Sequence, residues 1–146
     1  MHANKILFPT DFSTLSDAAL RHATVLARDM GGKLIIVHVE EPPAAYGTGE
    51  MYYGIPDPDV PALNKMLAAV VPPDPKVPFE HRMVLGDPAS EIVALAEAEG
   101  VNLIVMGTHG RTGLGRLLMG SVAEAVVRRA PCPVITFKEK EKQGID

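Results

Sequence analysis

The run Leu34-Ile35-Ile36-Val37-His38-Val39 carries no polar alternation, and it constrains the fold more than any other stretch of the chain. A strand with one wet face alternates apolar and polar residues. One that is apolar throughout is covered on both faces, as in a parallel sheet with helices packed on either side. Similar short runs recur. Lys5-Ile6-Leu7-Phe8-Pro9 stops at the turn-forming Thr10-Asp11, Asn102-Leu103-Ile104-Val105-Met106 stops at Gly107, and residues 77–85 and 133–137 predict two further strands.

Between the runs the apolar period changes to that of a helix. Leu15, Ala19, Ala23, Leu26 and Met30 mark a helix that Ser13 or Thr14 caps and Gly31-Gly32 ends. After Gly86, Asp87 is a cap, Pro88 suits the first helical position, and Ile92, Leu95, Ala96 and Glu99 share a face up to Gly100. A short helix is predicted over 61–71, closed by Pro72-Pro73, and a last one over 121–130. Residues 41–60, rich in Pro, Gly and Tyr, predict a long surface loop, and the charged residues 138–146 a tail. Strands alternating with helices at these intervals imply right-handed crossovers. The expected fold is α/β: a single doubly wound domain over residues 1–146, with a five-stranded parallel sheet in the order 3-2-1-4-5 and helices on both faces.

In that strand order the winding direction reverses between strands one and four, and ligands lie beyond the carboxyl ends of the strands at the reversal. Those ends are Pro9-Thr10-Asp11 and Met106-Gly107-Thr108. The second leads into Gly107-Thr108-His109-Gly110-Arg111-Thr112-Gly113-Leu114-Gly115-Arg116, four glycines within nine positions. Glycine permits positive φ and lets backbone N–H groups converge on an anion without a Cβ in the way. Gly120-Ser121 then opens a helix whose free N–H groups and positive dipole end form a second anion site. Two such donors suit a polyphosphate, with Arg111 and Arg116 as added charge. The competing reading is a plain surface loop whose glycines only cap a strand and a helix. Better-known phosphate patterns miss narrowly. Gly110 and Gly115 have Walker-A spacing, but Arg116-Leu117 stands where Lys-Ser/Thr is needed, and Leu118 stands where the dinucleotide fingerprint needs its third glycine.

The spacing Gly107-x-x-Gly110, nine further residues, then Gly120-Ser121, after the strand Leu103-Ile104-Val105-Met106, resembles the ATP-binding motif of the universal stress protein family. The start Lys5-Ile6-Leu7-Phe8-Pro9-Thr10-Asp11-Phe12-Ser13, the Val37-His38-Val39 strand end, the Gly86-Asp87-Pro88 turn and the ending Ala130-Pro131-Cys132-Pro133-Val134 are also similar to that family. The resemblance thus covers nearly the whole chain. It implies an ATP held at the switch point and a homodimer that pairs the last strands, here running from Pro133 to Phe137. By motif matching, Pro9, Thr10 and Asp11 lie by the nucleoside, with Asp11 toward the ribose, and the backbone of Val39 faces adenine. Met106 stands at the strand end; Gly107, His109, Gly110, Arg111 and Gly113 line the phosphate loop, while Gly120, Ser121 and Val122 bind phosphate at the helix start. For Asp11 the competing role is a helix cap. The chain departs from the family between Glu41 and Pro78, where prolines and a short helix stand in place of the usual longer helix.

Charge and composition narrow the partners. A net charge of −4 and a pI near 5.7 lack the concentrated Lys/Arg face that duplex nucleic acid requires. Cys132 is the only cysteine, so no internal disulfide forms, and it reads as a small core residue. No apolar run approaches the roughly 20 residues of a membrane span. Met1-His2-Ala3-Asn4-Lys5 leads into a strand without a signal-peptide core, so the expected location is cytoplasmic. His22 reads as a surface residue, His38 as a hydrogen-bonded structural histidine near the site, and His109 as the better functional candidate. Ligand spacing for a protein-only metal is missing, although Mg²⁺ can arrive with phosphates. Phosphoryl transfer needs a positioned acceptor, a metal clamp and a charge stabiliser. Only Asp11, His109 and Arg111 could take part, and no lysine lies in the loop. The expected function is a regulatory, stress-response ATP binder with little or no turnover and no catalytic residue. The alternatives are a slow ATPase or nucleotidyl-transfer enzyme using the same pocket, and a protein-interaction module with a vestigial pocket.

Overall fold

The computed structural model describes residues 4–42, 59–108 and 120–138. In chain order these form β1 (Lys5–Pro9), α1 (Thr14–Met30), β2 (Lys33–Glu40), α2 (Val60–Ala68), β3 (Phe79–Leu85), α3 (Pro88–Glu99), β4 (Leu103–Gly107), α4 (Ser121–Arg129) and β5 (Val134–Phe137). The strands make one five-stranded parallel sheet in the order β3-β2-β1-β4-β5, as the sequence predicts. The 41–60 loop and the 138–146 tail lie, apart from their ends, outside the described residues.

Alternate residues of the inner strands feed two separate cores. Ile6 and Phe8 of β1, Leu34 and Ile36 of β2 and Leu103 and Val105 of β4 pack with Ala19, Leu20, Ala23 and Ala27 of α1 and Leu67 of α2. The intervening Leu7, Ile35, Val37, Ile104 and Met106 pack with Ala89, Ile92 and Ala96 of α3 and Ala123 and Val126 of α4. α1 and α2 therefore cover one face and α3 and α4 the other. The non-alternating runs have this cause: each strand residue meets a helix, whichever way it points.

Element ends follow from local chemistry. Ser13 caps α1 by accepting from the Ser16 N–H, and Gly31 closes it at φ 66°, where a Cβ would be strained. Asp87 caps α3 through the Ser90 N–H, with Pro88 in the first turn and Gly100 at φ 61° behind. Asp59 caps α2, which ends at Ala68 rather than at 71. β3 begins at Phe79, two residues later than expected; Val77 is already buried, and Pro78 can only accept, its carbonyl taking the Leu34 N–H at 3.0 Å.

The helix faces differ from the predicted ones by a small rotation. α1 buries Ser16, Ala19, Leu20, Ala23, Thr24 and Ala27, while Leu26 and Met30 pack at the border. Small residues let this helix sit close to the sheet. Its buried hydroxyls are satisfied locally: Thr24 Oγ1 donates to the Leu20 carbonyl at 2.7 Å, and Ser16 Oγ to Asp11 Oδ1 at 2.8 Å. α3 buries Ala89, Ile92, Val93 and Ala96, whereas Glu99 pairs with Lys5 and Arg82. Cys132 is half-buried at the margin of the second core, and burial pushes its thiol up. His22 is exposed and stacks on Phe137 with ring centroids 4.2 Å apart. Among the described residues no helix is long and apolar enough to cross a membrane.

A charged belt ties the amino ends of the central strands together. Lys33 meets Glu80 at 2.6 Å, Glu80 also pairs with Arg82, and Arg82 reaches Glu99 at 3.2 Å. Hydrogen bonds from Lys33 and then Arg82 hold the Glu80 carboxyl below its ordinary 4.5, and the Ser90 N–H and hydroxyl hold Asp87 below 3.8. A carboxyl depressed in the folded state contributes stability above its unfolded value and loses it as pH falls through the folded one. Urea midpoints should therefore drop on acidification below about pH 4.5, and less steeply in Glu80→Gln. A core test is Leu7→Ala. It empties a fully buried position of β1 and should cost about 2–5 kcal/mol in equilibrium unfolding.

Candidate functional site

β1 and β4 are neighbours in the sheet, yet the chain leaves them toward opposite faces. Helices departing in opposite directions cannot cover the strand ends between them, and a cavity of about 340 Å³ opens there. Pro9, Thr10 and Asp11 line it from the end of β1, His38 and Val39 from β2 with Glu41 just beyond, and Met106, Gly107 and Thr108 from the end of β4. Ser16 of α1, Pro88 and Ile92 of α3, and Gly120, Ser121, Val122 and Ala123 at the start of α4 complete the wall.

The turn after β1 is built around Asp11. Thr10 is buried, with its N–H donated to the Val37 carbonyl at 2.8 Å and its Oγ1 accepting from Phe12 N at 3.0 Å. Asp11 Oδ1 accepts from Ser13 N at 3.0 Å and from Ser16 Oγ at 2.8 Å. Asp11 is thus not the helix cap, a role Ser13 fills. Its Oδ2 makes no hydrogen bond among the described residues and remains available as an acceptor. Phe12 sits at φ 68°, a left-handed conformation unusual for a bulky residue, and its ring lies 4.4 Å from that of His38. His38 is buried and hydrogen-bonded on both sides, as expected for a structural histidine, and it also borders the cavity.

The opposite wall has the reverse electrical character. α4 begins at Gly120 with no side-chain cap, so the positive end of its dipole and its first-turn N–H groups meet the cavity uncompensated by a capping side chain. Gly120 is held by donating its own N–H to the Thr108 carbonyl at 2.6 Å, while Thr108 N donates to Phe137 O at 2.8 Å. Carboxylates therefore border one side, at Asp11 and Glu41, and a helix amino end borders the other.

Of the residues singled out in the sequence, Pro9, Thr10, Asp11, Val39, Met106, Gly107, Gly120, Ser121 and Val122 come together around this one cavity. His109, Gly110, Arg111 and Gly113 lie outside the described residues. Thr108, named in the sequence at the end of β4, lines the cavity too, whereas sequence reasoning missed Ser16, Glu41, Ala123, Pro88 and Ile92 as lining residues. Ser16 had a signal, since it lies one turn into the helix that follows Asp11. Pro88 and Ile92 had none, because only the crossover of α3 to the far face brings them here. Among the described residues no group of three or more His, Cys, Asp or Glu is placed to hold a metal ion.

Comparison with known proteins agrees with this architecture. The model of the universal stress protein family matches residues 2–138. Universal stress protein MJ0531 of Methanocaldococcus jannaschii is 37% identical over 145 residues, spanning 95% of this chain and 84% of that protein. The solved structure of MJ0577, a universal stress protein of the same organism, superposes with a TM-score of 0.73 at 32% identity, covering 97% of this chain and 100% of that one. A universal stress protein crystallised in complex with cAMP superposes at 0.61 with 29% identity over 94% of this chain and 98% of its own. With residues 2–138 matched by the family model and a relative aligned over nearly its full length, the chain belongs to the universal stress protein family.

Proposed function

We propose that this chain is an ATP-binding regulatory protein of the stress response that holds its nucleotide with little or no turnover. The observation that carries the reading is the polarity of the switch-point cavity, acidic along β1 and β2 and helix-positive along α4. A nucleotide has the matching polarity, with donor hydroxyls and an amino group at one end and phosphate oxygens at the other. The cavity volume, about 340 Å³, falls in the range of small-molecule sites, about 300–1,000 Å³. Asp11 Oδ2 would accept from the ribose, the Val39 backbone would meet adenine, and Gly107, Gly120, Ser121 and Val122 would take phosphate. His109, Gly110, Arg111 and Gly113 would complete the phosphate loop, on the strength of their spacing. The relative crystallised with cAMP supports an adenine nucleotide as the ligand.

Weak turnover follows from what lines the cavity. Asp11 spends one oxygen on its own turn, and the loop sequence from Gly107 to Arg116 holds no lysine to clamp a transferring phosphoryl group. Mg²⁺ would come with the phosphates rather than in a protein cage. The reading extends to a single domain over residues 1–146, working in the cytoplasm as a homodimer. β5 supports the dimer, since it is the last strand of the sheet and offers an edge to a second copy.

Purified protein should release ATP on heating, identified by mass, and ADP should not accumulate over hours. Steady ADP production that Asp11→Ala abolishes would favour an enzyme, and no nucleotide with no thermal shift on adding ATP would leave an interaction module. Ser121→Glu separates phosphate binding from folding. An acidic residue in the first turn should hold or slightly raise thermal stability, by about 0.3–1 kcal/mol, while weakening ATP affinity about tenfold or more. Unchanged affinity would remove α4 from the phosphate site.

A further inference from the structure

His38 borders the cavity yet is only 1% exposed, and both its ring nitrogens are engaged. Nδ1 lies 2.7 Å from the Thr10 carbonyl oxygen and Nε2 lies 2.7 Å from Glu40 Oε1. A carbonyl oxygen can only accept, so Nδ1 carries a proton in the first bond. An ionised carboxylate also brings only lone pairs, and two lone pairs do not face each other at this distance. One proton therefore lies between Nε2 and Oε1, whichever atom formally owns it. The pair holds one proton more than a neutral imidazole beside an ionised carboxylate would.

That proton has a mechanical consequence. The Thr10 carbonyl immediately precedes Asp11, and the His38 ring also rests against Phe12, the residue at φ 68°. A single imidazole thus grips the Thr10-Asp11-Phe12 turn at both ends, by a hydrogen bond on one side and ring contact on the other. Glu40 anchors the same imidazole to the end of β2. We propose that His38 and Glu40 are positioning residues whose shared proton locks the Asp11 turn against β2, so that nucleotide affinity depends on that proton. Only the affinity clause rests on the nucleotide reading; the proton and the turn belong to the free protein.

Two more acidic groups stand nearby. Asp11 on the turn and Glu41 beyond β2 border the same cavity and are both acidic. Met83 stands opposite His38 on β3, and Ser16 is the α1 residue at the cavity; neither ionises at neutral pH. Without that proton, imidazole and carboxylate lone pairs repel, and one of the two bonds must break. The locked turn requires the proton.

Imidazole and amide ¹⁵N–¹H spectra of the full-length free protein, with ATP calorimetry from about pH 6 to about pH 9, test this in wild type, Glu40→Gln and His38→Asn. Wild type should show protonated Nδ1 with a further proton on or shared at Nε2. Its Asp11 and Phe12 amides should shift when that proton is lost, and ATP affinity should fall about tenfold across the range. The side-chain amide that Glu40→Gln introduces can donate to a bare Nε2, so this variant should give an unprotonated Nε2 and a flat pH profile. His38→Asn keeps a donor for Thr10 but loses the shared proton, so it should also be flat with pH. A bare Nδ1 in wild type, no proton between Nε2 and Oε1 in wild type, or parallel pH profiles in wild type and Glu40→Gln would overturn the proposal. If ATP does not bind at all, the nucleotide reading fails while the proton and amide signals still decide the positioning role.

Discussion

Two-sided burial of β1 is the constraint on which the rest of the structure depends. Ile6, Leu7 and Phe8 are all fully buried, Ile6 and Phe8 into the α1–α2 core and Leu7 into the α3–α4 core. A strand in that position needs a neighbour on each edge and a helix layer on each face. β2 supplies one edge, in a register running from Lys5 opposite Lys33 to Pro9 opposite Val37, and β4 supplies the other through Ile6 and Leu7. Once the chain leaves β1 and β4 toward opposite faces, the ends of those two strands cannot be covered. The cavity is thus a by-product of the winding that buries β1.

The turn closing β1 converts that opening into a shaped site. Holding Phe12 in a left-handed conformation costs on the order of 1–3 kcal/mol. Offsetting it are the Thr10 and Asp11 side chains, which satisfy the N–H groups of Phe12 and Ser13, the Ser16 hydroxyl on Asp11, and the His38 ring against Phe12. The same residues that stabilise the turn border the cavity, so structure and site are not separable here. Across the gap, α4 lacks a side-chain cap where α1, α2 and α3 each have one. An uncapped helix start beside a cavity leaves donors for an outside acceptor.

The two ends of the sheet divide the work. At the amino ends Lys33, Glu80, Arg82, Glu99 and Lys5 form a continuous chain of ion pairs. Half-exposed pairs of this kind contribute about 0–1 kcal/mol each, so their effect is chiefly to set the register of β3 against α3. At the carboxyl ends one Asp11 oxygen and the uncapped first turn of α4 keep hydrogen-bonding capacity instead. Ion pairs gather at one end of the sheet, and the cavity opens at the other.

Much of this was legible in the residues themselves. The apolar run at Leu34 pointed to burial on both faces, Asp87-Pro88 and Gly31 marked helix ends, and the alternation of elements implied a parallel doubly wound sheet, for which the 3-2-1-4-5 order was the expected one, because these are local or topological consequences of pattern. Pro9, Thr10, Asp11, Met106 and Gly107 could be placed at one site before any coordinates, since strand order alone brings those two strand ends together. The exact buried stripe of α1 could not, because it depends on how closely small residues let a helix approach the sheet. Nor could the roles of Ser16, Pro88, Ile92 and Glu41 around the cavity, which arise from distant elements meeting. Asp11 shows the boundary most clearly. Its position past β1 was decided by sequence, but only the packed turn, with Ser13 as cap and Ser16 on Oδ1, decided that its second oxygen is left without a partner among the described residues, because hydrogen-bond partners are chosen by three-dimensional proximity and not by order along the chain.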